Sequence, residues 1–377
     1  MLRKVIPTLT LALLMAACTS NTPTQVNDVP ATVVESDSIS LDTILPANEA
    51  EQPAPDTLTL ALVGDIMLGT TYPTTKLPPH DGRDIFVDAS SILKGVDLAC
   101  GNLEGVLADS GTPRKNPDSA LSFSFLMPTR LAPRLSEAGF DFLGLANNHA
   151  NDFSAEGRNS TMHTLDKEGI LYAGNSKCPQ ATTQVRGMRV GLCAFGHNTG
   201  TILLTDTARV HSIIADLKRN NDIVVVCFHG GREGVTAKHL PDSAEVVWGE
   251  NRGHLRRFTH QCIDWGADVV YGHGPHVVRA MEVYKDRFIA YSLGNFATPT
   301  GIGTAGLNGY APLVELRVLP SGKMAGGRIH PFVQHPLQGP RRDTKGVVIN
   351  EIRTLTREDI HNNPLNIAAD GKLSLKQ

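Results

Sequence analysis

The sequence predicts an α/β fold for the part of the chain that begins near residue 58. Short apolar runs typical of buried strands recur along the chain, and they end in clusters of Gly, Asn or His. Segments with the helical spacing of apolar residues lie between several of these runs. The 377 residues, 41% of them hydrophobic, suffice for one large domain or two smaller ones.

The first predicted strand is the apolar run 58–63, which Gly64 and Asp65 end. Further strands are predicted over 96–99, 142–146, 190–195, 223–228, 269–271 and 288–292. Helices are predicted over 129–138, 155–168 and 254–265, each followed by a glycine in the C-cap position. A late hairpin is predicted over 313–319 and 326–333, and the chain beyond residue 336 is polar and weakly patterned.

The N-terminus has the pattern of an exported lipoprotein. Arg3 and Lys4 precede an apolar run over 5–17, and Cys18 follows two small residues. Because the run is too short to span a bilayer, residues 1–17 are predicted to be a signal peptide. Cys18 is then lipidated and anchors the protein in the cell envelope, on the extracytoplasmic face of the outer or cytoplasmic membrane. A cleaved, secreted protein with an incidental Cys18 is the alternative.

Residues 18–57 predict a disordered linker. No Lys or Arg occurs from 19 to 75, and the segment 19–57 is rich in Pro, Thr, Ser, Asn and acidic residues. The folded domain is expected over 58–335, with a C-terminal extension over 336–377. The net charge is −3 and no basic cluster or nucleic-acid motif stands out, so no nucleic-acid partner is expected.

Five cysteines remain if Cys18 is lipidated, an odd number that cannot pair completely. Cys193 and Cys227 lie in strand-like apolar runs, so buried free thiols are expected rather than disulfides. None of the cysteines has the close CxxC spacing of a zinc cluster.

Polar clusters follow the predicted strands, where ligand sites of open α/β sheets lie. They contain Asp65, Glu104, Asn148, His149, His229, His273 and His276. Carboxylate, amide and imidazole ligands together suit Zn²⁺, Mn²⁺ or Fe better than Ca²⁺. One such cluster alone is more often structural, so the ordered series is what predicts a divalent-metal site.

The order of these motifs resembles that of the CapA family, which is associated with bacterial capsule and poly-γ-glutamate synthesis. The resemblance covers about residues 58–335, and its most specific parts are Asn-Asn-His at 147–149 and Tyr-Ser-Leu-Gly-Asn-Phe at 291–296. The family is similar to calcineurin-like metallophosphoesterases. The resemblance therefore implies a four-layer α-β-β-α sandwich, in which two packed sheets are flanked by helices.

The resemblance also implies roles for single residues. The implied metal ligands are Asp65, Glu104, Asn148, His229, His273 and His276. His149 would face the substrate and give a proton to the leaving group. Met67 stands where the phosphoesterases have the His of Asp-x-His, and a thioether is a poor ligand for a hard ion. One tightly bound ion, or an asymmetric pair, is therefore implied.

Other residues near these motifs have two interpretations each. Asp152 either orients His149 or caps the helix expected from about residue 155. Arg232 either pairs with a substrate carboxylate or phosphate, or is a solvated surface residue. Asn295 is the one member of its motif expected to contact substrate. Structural packing roles are expected for Arg279, Trp248 and Trp265.

Three functions remain open at this point. The first is a metal-dependent hydrolase or transferase that acts on an anionic capsule-type polymer or its lipid- or phosphate-linked precursor. The second is a scaffold, with or without metal, within a membrane complex for polymer synthesis or export. The third is a general envelope phosphoesterase. Met67 favours the scaffold, whereas His149, a non-ligand imidazole beside the metal, favours an enzyme.

Overall fold

The computed structural model describes residues 57–115 and 123–376. Strands occur throughout these residues and are numbered in chain order. The strands are β1 (Leu58–Ile66), β2 (Leu98–Leu103), β3 (Val106–Leu107), β4 (Leu126–Met127), β5 (Phe142–Gly144), β6 (Leu171–Ala173), β7 (Gln180–Val185), β8 (Met188–Phe195), β9 (Ile223–His229), β10 (Val246–Val247), β11 (Glu250–Asn251), β12 (Val269–His273), β13 (Met281–Tyr284), β14 (Arg287–Ala290), β15 (Asn295–Ala297), β16 (Leu313–Val318), β17 (Met324–His330), β18 (Phe332–His335), β19 (Gly339–Arg342), β20 (Leu365–Ile367) and β21 (Lys372–Leu375).

The α-helices lie mostly between strands that pair in parallel. They are α1 (Ser90–Leu93), α2 (Pro133–Ala138), α3 (Ser154–Glu168), α4 (Thr207–Asn220), α5 (Leu255–Asp264) and α6 (Val347–Asp359). Short 3₁₀ helices cover Pro79–Gly82, Thr129–Leu131, Val235–Ala237 and Gly306–Gly309.

Two large sheets contain most of the strands. The first sheet has the order β20-β21-β17-β16-β1-β2-β5-β6, with β15 also paired to β1, and the second has the order β13-β14-β12-β9-β8-β7. At the centre of each sheet the strands are parallel: β1 with β2 in the first, and β9 with β12 in the second. Parallel strands bring their carboxyl ends to one edge of the sheet, where ligand sites form.

Alternating side chains of β1 explain how the layers stack. Leu60 and Leu62 belong to a core between the sheets that also contains Val225 of β9. Ala61 and Val63 point to the opposite face, in a core with residues of α1, α2 and α3. A third core joins the outer face of the second sheet to α4 and α5. The order is helix, sheet, sheet, helix, which confirms the predicted α/β four-layer sandwich.

The C-terminal residues complete this fold. Helix α6 buries Val348, Ile352 and Leu355 in the core between the sheets, and β21 pairs with β17 in the first sheet. The expected domain boundary at residue 335 falls inside the β18–β19 hairpin. The residues assigned to a C-terminal extension therefore supply part of the core and of the sheet.

Several local expectations are tested directly. Gly139 and Gly169 end α2 and α3 in the left-handed conformation, as predicted. The helix predicted over 129–138 is interrupted, because Pro133 has no N–H to donate and α2 begins there. Cys100, Cys178, Cys193, Cys227 and Cys262 are free, which confirms the prediction of unpaired thiols.

The signal peptide, Cys18 and all of the linker except residue 57 lie outside the described residues. Within the described ranges, no helix is both long and apolar enough to cross a bilayer.

Candidate metal centre and adjoining cavity

Strands from both sheets deliver the candidate ligands to one place. Asp65 lies near the end of β1, and Glu104 directly follows β2. His229 and His273 are the last residues of β9 and β12 and stand opposite each other in the parallel ladder. Asp65 is likewise paired in register with Asn102 of β2. The centre therefore lies where the carboxyl edges of the two sheets meet.

Two buried carboxylates occupy the middle of the group. Asp65 Oδ1 lies 3.2 Å from Nδ1 of His273, and Asp65 Oδ2 lies 3.2 Å from Nδ1 of His276. Glu104 Oε1 lies 3.6 Å from Nε2 of both His229 and His276. Ligand atoms of Asp65, Glu104 and His276 all lie within 4.8 Å of one another. This spacing is close enough for the three residues to share an ion.

Several of these polar atoms have no hydrogen-bond partner. Both carboxylate oxygens of Glu104, both ring nitrogens of His229 and Oδ1 of Asn148 are buried and unpaired. Buried polar atoms in proteins are normally hydrogen-bonded, because an unpaired one loses its hydration without compensation. A divalent cation among these groups would pair with the oxygens and with one ring nitrogen of His229, so the donor set fits a metal.

The pKa values describe the centre without an ion. Burial raises the pKa of Asp65, but hydrogen bonds and charges from His273 and His276 outweigh it and hold that pKa well below its usual value. Burial, followed by the charge of Asp65, raises the pKa of Glu104 to about 7. Burial opposes protonation of His276, yet the carboxylates of Glu104 and Asp65 raise its pKa to about 10. Burial lowers the pKa of His229 to about 3.

Asp152 contacts His149 and does not cap a helix. Its Oδ2 lies 2.7 Å from Nδ1 of His149 and accepts a hydrogen bond of 2.8 Å from the backbone N–H of Phe125. Nζ of Lys115 lies 2.7 Å from the other oxygen. The N-cap of α3 is Phe153, which makes no side-chain capping bond. Of the two interpretations of Asp152, the structure favours the partner of His149.

A chain of amides links the two halves of the centre. Asn102 donates from Nδ2 to Asp65 Oδ1 over 2.8 Å, and Asn147 donates from Nδ2 to Asn102 Oδ1 over 3.0 Å. Asn147 Oδ1 in turn accepts from the backbone N–H of His149 over 3.1 Å. These bonds fix the His149 loop relative to Asp65. Neither asparagine was predicted to have a role, although Asn147 belongs to the Asn-Asn-His motif.

The two expected substrate contacts lie outside the cavity lining. Arg232 has an exposed side chain, as in the surface interpretation of this residue. Asn295 is fully buried, with Oδ1 2.9 Å from Nδ1 of His276 and Nδ2 donating to the backbone oxygen of His276. Asn295 therefore orients a candidate ligand instead of facing substrate. Arg279 pairs with Glu245 over 2.8 Å in the interior, which confirms its structural role.

A cavity of about 650 Å³ opens in front of the centre. Asn148, His149 and His276 lie in its wall, and Trp248 and Phe123 stand in the same lining with 70% and 59% of their surfaces exposed. The prediction that Trp248 packs in the interior is wrong, because it lies in the turn between β10 and β11. Pockets of this size accommodate small-molecule ligands or one end of a larger substrate.

Sequence reasoning missed three residues around the cavity. Lys115 and Arg252 line it, and His197 stacks on the ring of His229 at 5.5 Å between centroids. His197 follows β8 in the sequence Phe-Gly-His, so the rule that found the other clusters would also have found it. Lys115 and Arg252 lie far from any strand-end motif, and only the folded chain brings them here.

Comparisons with known proteins agree with the motif order. The family model described as bacterial capsule synthesis protein PGA_cap matches residues 59–300. The PGA biosynthesis protein CapA of Bacillus subtilis is 29% identical over 278 residues, which cover 68% of this chain and 68% of that protein. The capsule biosynthesis protein CapA of Bacillus anthracis is 31% identical over 265 residues, which cover 65% of this chain and 60% of that protein.

Among solved structures, the calcineurin-like phosphoesterase YfkN from Bacillus subtilis matches with a TM-score of 0.41 and 12% identity. The match covers 81% of this chain and 98% of that one. The assignment of the fold rests on the strand order and the layers of the present chain.

Proposed function

Because the chain belongs to the family of bacterial capsule synthesis proteins PGA_cap, we propose that it is a metal-dependent hydrolase or transferase of capsule or poly-γ-glutamate synthesis or processing. The observation that carries the proposal is the group of buried, unpaired ligand atoms beside the His149–Asp152 contact. Asn148, His149 and His276 bring one edge of this group into the wall of an open cavity.

Six residues would hold the divalent metal. They are Asp65, Glu104, Asn148, His229, His273 and His276. When bound, the ion would polarise a phosphoryl or acyl oxygen of the substrate and lower the pKa of a water molecule towards neutrality. Asn295 and the Asn102–Asn147 amides support the set, since they hold His276 and Asp65 in place.

Met67 bears on how many ions the centre holds. Its side chain is fully buried and belongs to the core that packs against α1, α2 and α3. A buried thioether adds no hard ligand, so one side of the centre has fewer donors than the other. We expect one tightly bound ion, or a tight and a weak one, drawn from Mn²⁺, Zn²⁺ or Fe.

His149 is the candidate proton donor. Asp152 holds its Nδ1, and its Nε2 lies 3.9 Å from Glu104 Oε1 at the edge of the cavity. The contact with Asp152 keeps a proton on Nδ1, so in the doubly protonated ring the proton on Nε2 is the one that would move to the leaving group. The ring of Phe125 packs at 4.3 Å between centroids and restricts rotation of the imidazole.

The substrate is proposed to be an anionic capsule-type polymer or its phosphate-linked precursor. Lys115 and Arg252 line the cavity as potential donors to an anionic group. Lys115 is paired with Asp152, and Arg252 is paired with Glu233 and Glu250, so a bound anion would share these cations with the carboxylates. Trp248 and Phe123 offer apolar surface for the remainder of the substrate. A non-catalytic scaffold in a membrane complex for polymer synthesis or export is the second candidate, and Met67 favours it.

The experiment compares turnover in the full chain and in His149→Ala, with Mn²⁺ or Zn²⁺ added. Substrates are aryl phosphate monoesters and diesters and poly-γ-glutamate. We expect His149→Ala to lower kcat by about 100-fold or more while the metal content stays unchanged. His163→Ala, on the exposed face of α3, is the matched control and should keep full activity.

Each outcome of this experiment distinguishes between two of the candidate functions. Turnover of phosphodiesters without polymer cleavage would favour a general phosphoesterase, and polymer cleavage alone would favour a capsule enzyme. Bound metal without turnover on any of these substrates would support the scaffold and contradict the enzyme.

A further inference from the structure

A second cavity, of about 590 Å³, lies between α6 and the β20–β21 hairpin. It shares no lining residue with the cavity at the metal centre. We call it the basic cleft, and its charged or titratable lining residues are Arg353, Arg357, His361 and Lys376. None of the described residues that line it carries a carboxylate. The basic cleft also lies outside residues 59–300, which the family model matches.

The cations are arranged in a row with a fourth group opposite. Arg353 and Arg357 are four residues apart on α6 and so lie on one face, about 6 Å apart at their Cβ atoms. His361 comes four residues later, just beyond the helix, and Lys376 follows β21 on the facing element. Like charges with this spacing destabilise an isolated helix, so the row works against local stability.

Arg353 and Lys376 have neutral hydrogen-bond partners. Arg353 donates from Nε to the backbone oxygen of Ile367 over 2.9 Å, and Lys376 donates from Nζ to the backbone oxygen of Asn363 over 2.8 Å. These bonds orient the side chains without neutralising them. Arg357 in the last turn of α6 also favours the helix dipole, but that effect explains neither Arg353 nor Lys376.

The floor of the basic cleft is held firmly. Asn363 accepts at Oδ1 from the backbone N–H of Val283 over 3.1 Å and donates to the backbone oxygen of Met281 over 2.8 Å. Thr356 accepts at Oγ1 from the N–H of Met281 over 3.0 Å. The α6 and β20 walls are therefore fixed to β13, and the cations are presented on a rigid support.

We propose that the basic cleft binds a linear polycarboxylate chain, as a non-catalytic contact separate from the metal centre. Guanidinium and ammonium groups recognise carboxylates through charge-assisted hydrogen bonds, and Asn362 and Asn366 in the lining add amide donors. The repeated spacing of cations on one helix face suits repeated anionic groups on one chain. The inference rests on the proposed function only for the choice of polymer.

The test measures binding of fluorescently labelled poly-γ-glutamate to the full chain by anisotropy. Arg357→Glu should weaken binding by about five- to tenfold, whereas Arg209→Glu, an exposed arginine on α4, should weaken it less than twofold. Binding by the wild type should also weaken as salt rises. Hydrolysis of a small aryl phosphate should be equal in both variants, because Arg357 does not line the cavity at the metal centre.

Three results would overturn the proposal that the basic cleft binds the polymer. They are unchanged affinity in Arg357→Glu, an equal loss of affinity in Arg209→Glu, and binding of inorganic polyphosphate but not of poly-γ-glutamate. Thermal melting of Arg357→Glu serves as the folding control, and Arg357→Gln should give an intermediate loss if folding is intact. The protein could also bind no metal and show no turnover, yet still bind the polymer in a way that depends on Arg357. That result would refute the proposed enzymatic function and support polymer binding in the basic cleft.

Discussion

Glu104 is the single residue whose state decides whether the metal centre can form. It is fully buried, both of its oxygens lack partners, and it lies within 4 Å of His149, His229 and His276. A carboxylate at this position is unfavourable without a cation, since burial and Asp65 both disfavour its charge. The ion and the ionised form of Glu104 therefore depend on each other.

This dependence predicts that metal affinity rises with pH. Glu104 has a pKa of about 7 in the protein without an ion, and His276 one of about 10, so both carry protons at pH 6. A ligand must lose its proton to bind metal, so the apparent affinity should increase from pH 6 to pH 8. Each displaced proton contributes at most about a tenfold change per pH unit.

Calorimetry of Mn²⁺ binding in buffers of different ionisation enthalpy would count the protons released. We expect between one and two protons at pH 6. An affinity that is flat between pH 6 and pH 8, with no proton release, would show that Glu104 and His276 are not ligands.

Sequence patterns indicated which candidate ligands lie together, but they did not indicate which side chains line the cavity. Asp65, Glu104 and the histidines follow from strand ends, because parallel strands bring those positions together. Arg232 shares a loop with His229, but sequence adjacency does not determine where a side chain points. Gly231, with a φ of +84°, turns the chain just before it.

The β10–β11 hairpin is the element that shapes the cavity. It carries Trp248 in its turn, and Arg252 lies just after β11. The buried Arg279–Glu245 pair lies at its base, where Glu245 also accepts from the backbone N–H of Arg232 over 2.9 Å. This ion pair connects the hairpin, the loop after β9 and the segment that follows His276.

Glu245→Gln should therefore destabilise the protein strongly. The change leaves the fully buried guanidinium of Arg279 without a countercharge, and breaking a buried pair in this way costs about 3–5 kcal/mol. Urea unfolding of the full chain measures the free energy. Glu250→Gln on the exposed side of the same hairpin should stay within about 0.5 kcal/mol of the wild type. Equal stability of the two variants would mean that the ion pair contributes little.

Strand positions were predictable from apolar runs, but strand lengths were not. β1, β2, β9 and β12 continue into Asp65, Asn102, His229 and His273, where hydropathy drops although the hydrogen-bonded ladder persists. In these ladders Asp65 stands opposite Asn102, and His229 stands opposite His273, so polar residues face polar residues. Hydropathy therefore ends each strand a few residues before the backbone does.

For the whole molecule, the four layers were implied by the family resemblance and not by periodicity, which predicts only α/β. The family model ends at residue 300, yet β16, which begins at Leu313, pairs directly with β1 at the centre of the first sheet. α6 and β20–β21 then close the core. The sequence did not predict this contribution, because apolar and polar residues do not alternate regularly in the C-terminal segment.

The envelope anchor predicted at Cys18 concerns the molecule as a whole. If Cys18 is acylated, Cys18→Ser should move the protein from the membrane fraction to the soluble extracytoplasmic fraction and abolish incorporation of radiolabelled palmitate. Cys178→Ser, which alters a half-buried free thiol of the folded part, is the matched control. Palmitate incorporation that persists in Cys18→Ser would refute the anchor.

We propose that the two sheets form a divalent-metal centre where their carboxyl edges meet. The most direct test is calorimetric titration of the metal-free full chain with Mn²⁺ and with Zn²⁺ at pH 8, alongside Asp65→Asn and His273→Ala. We expect one tight site, with or without a weaker second one, and loss of the tight site in both variants. No binding of either ion by the wild type, or unchanged tight binding by both variants, would contradict the proposal.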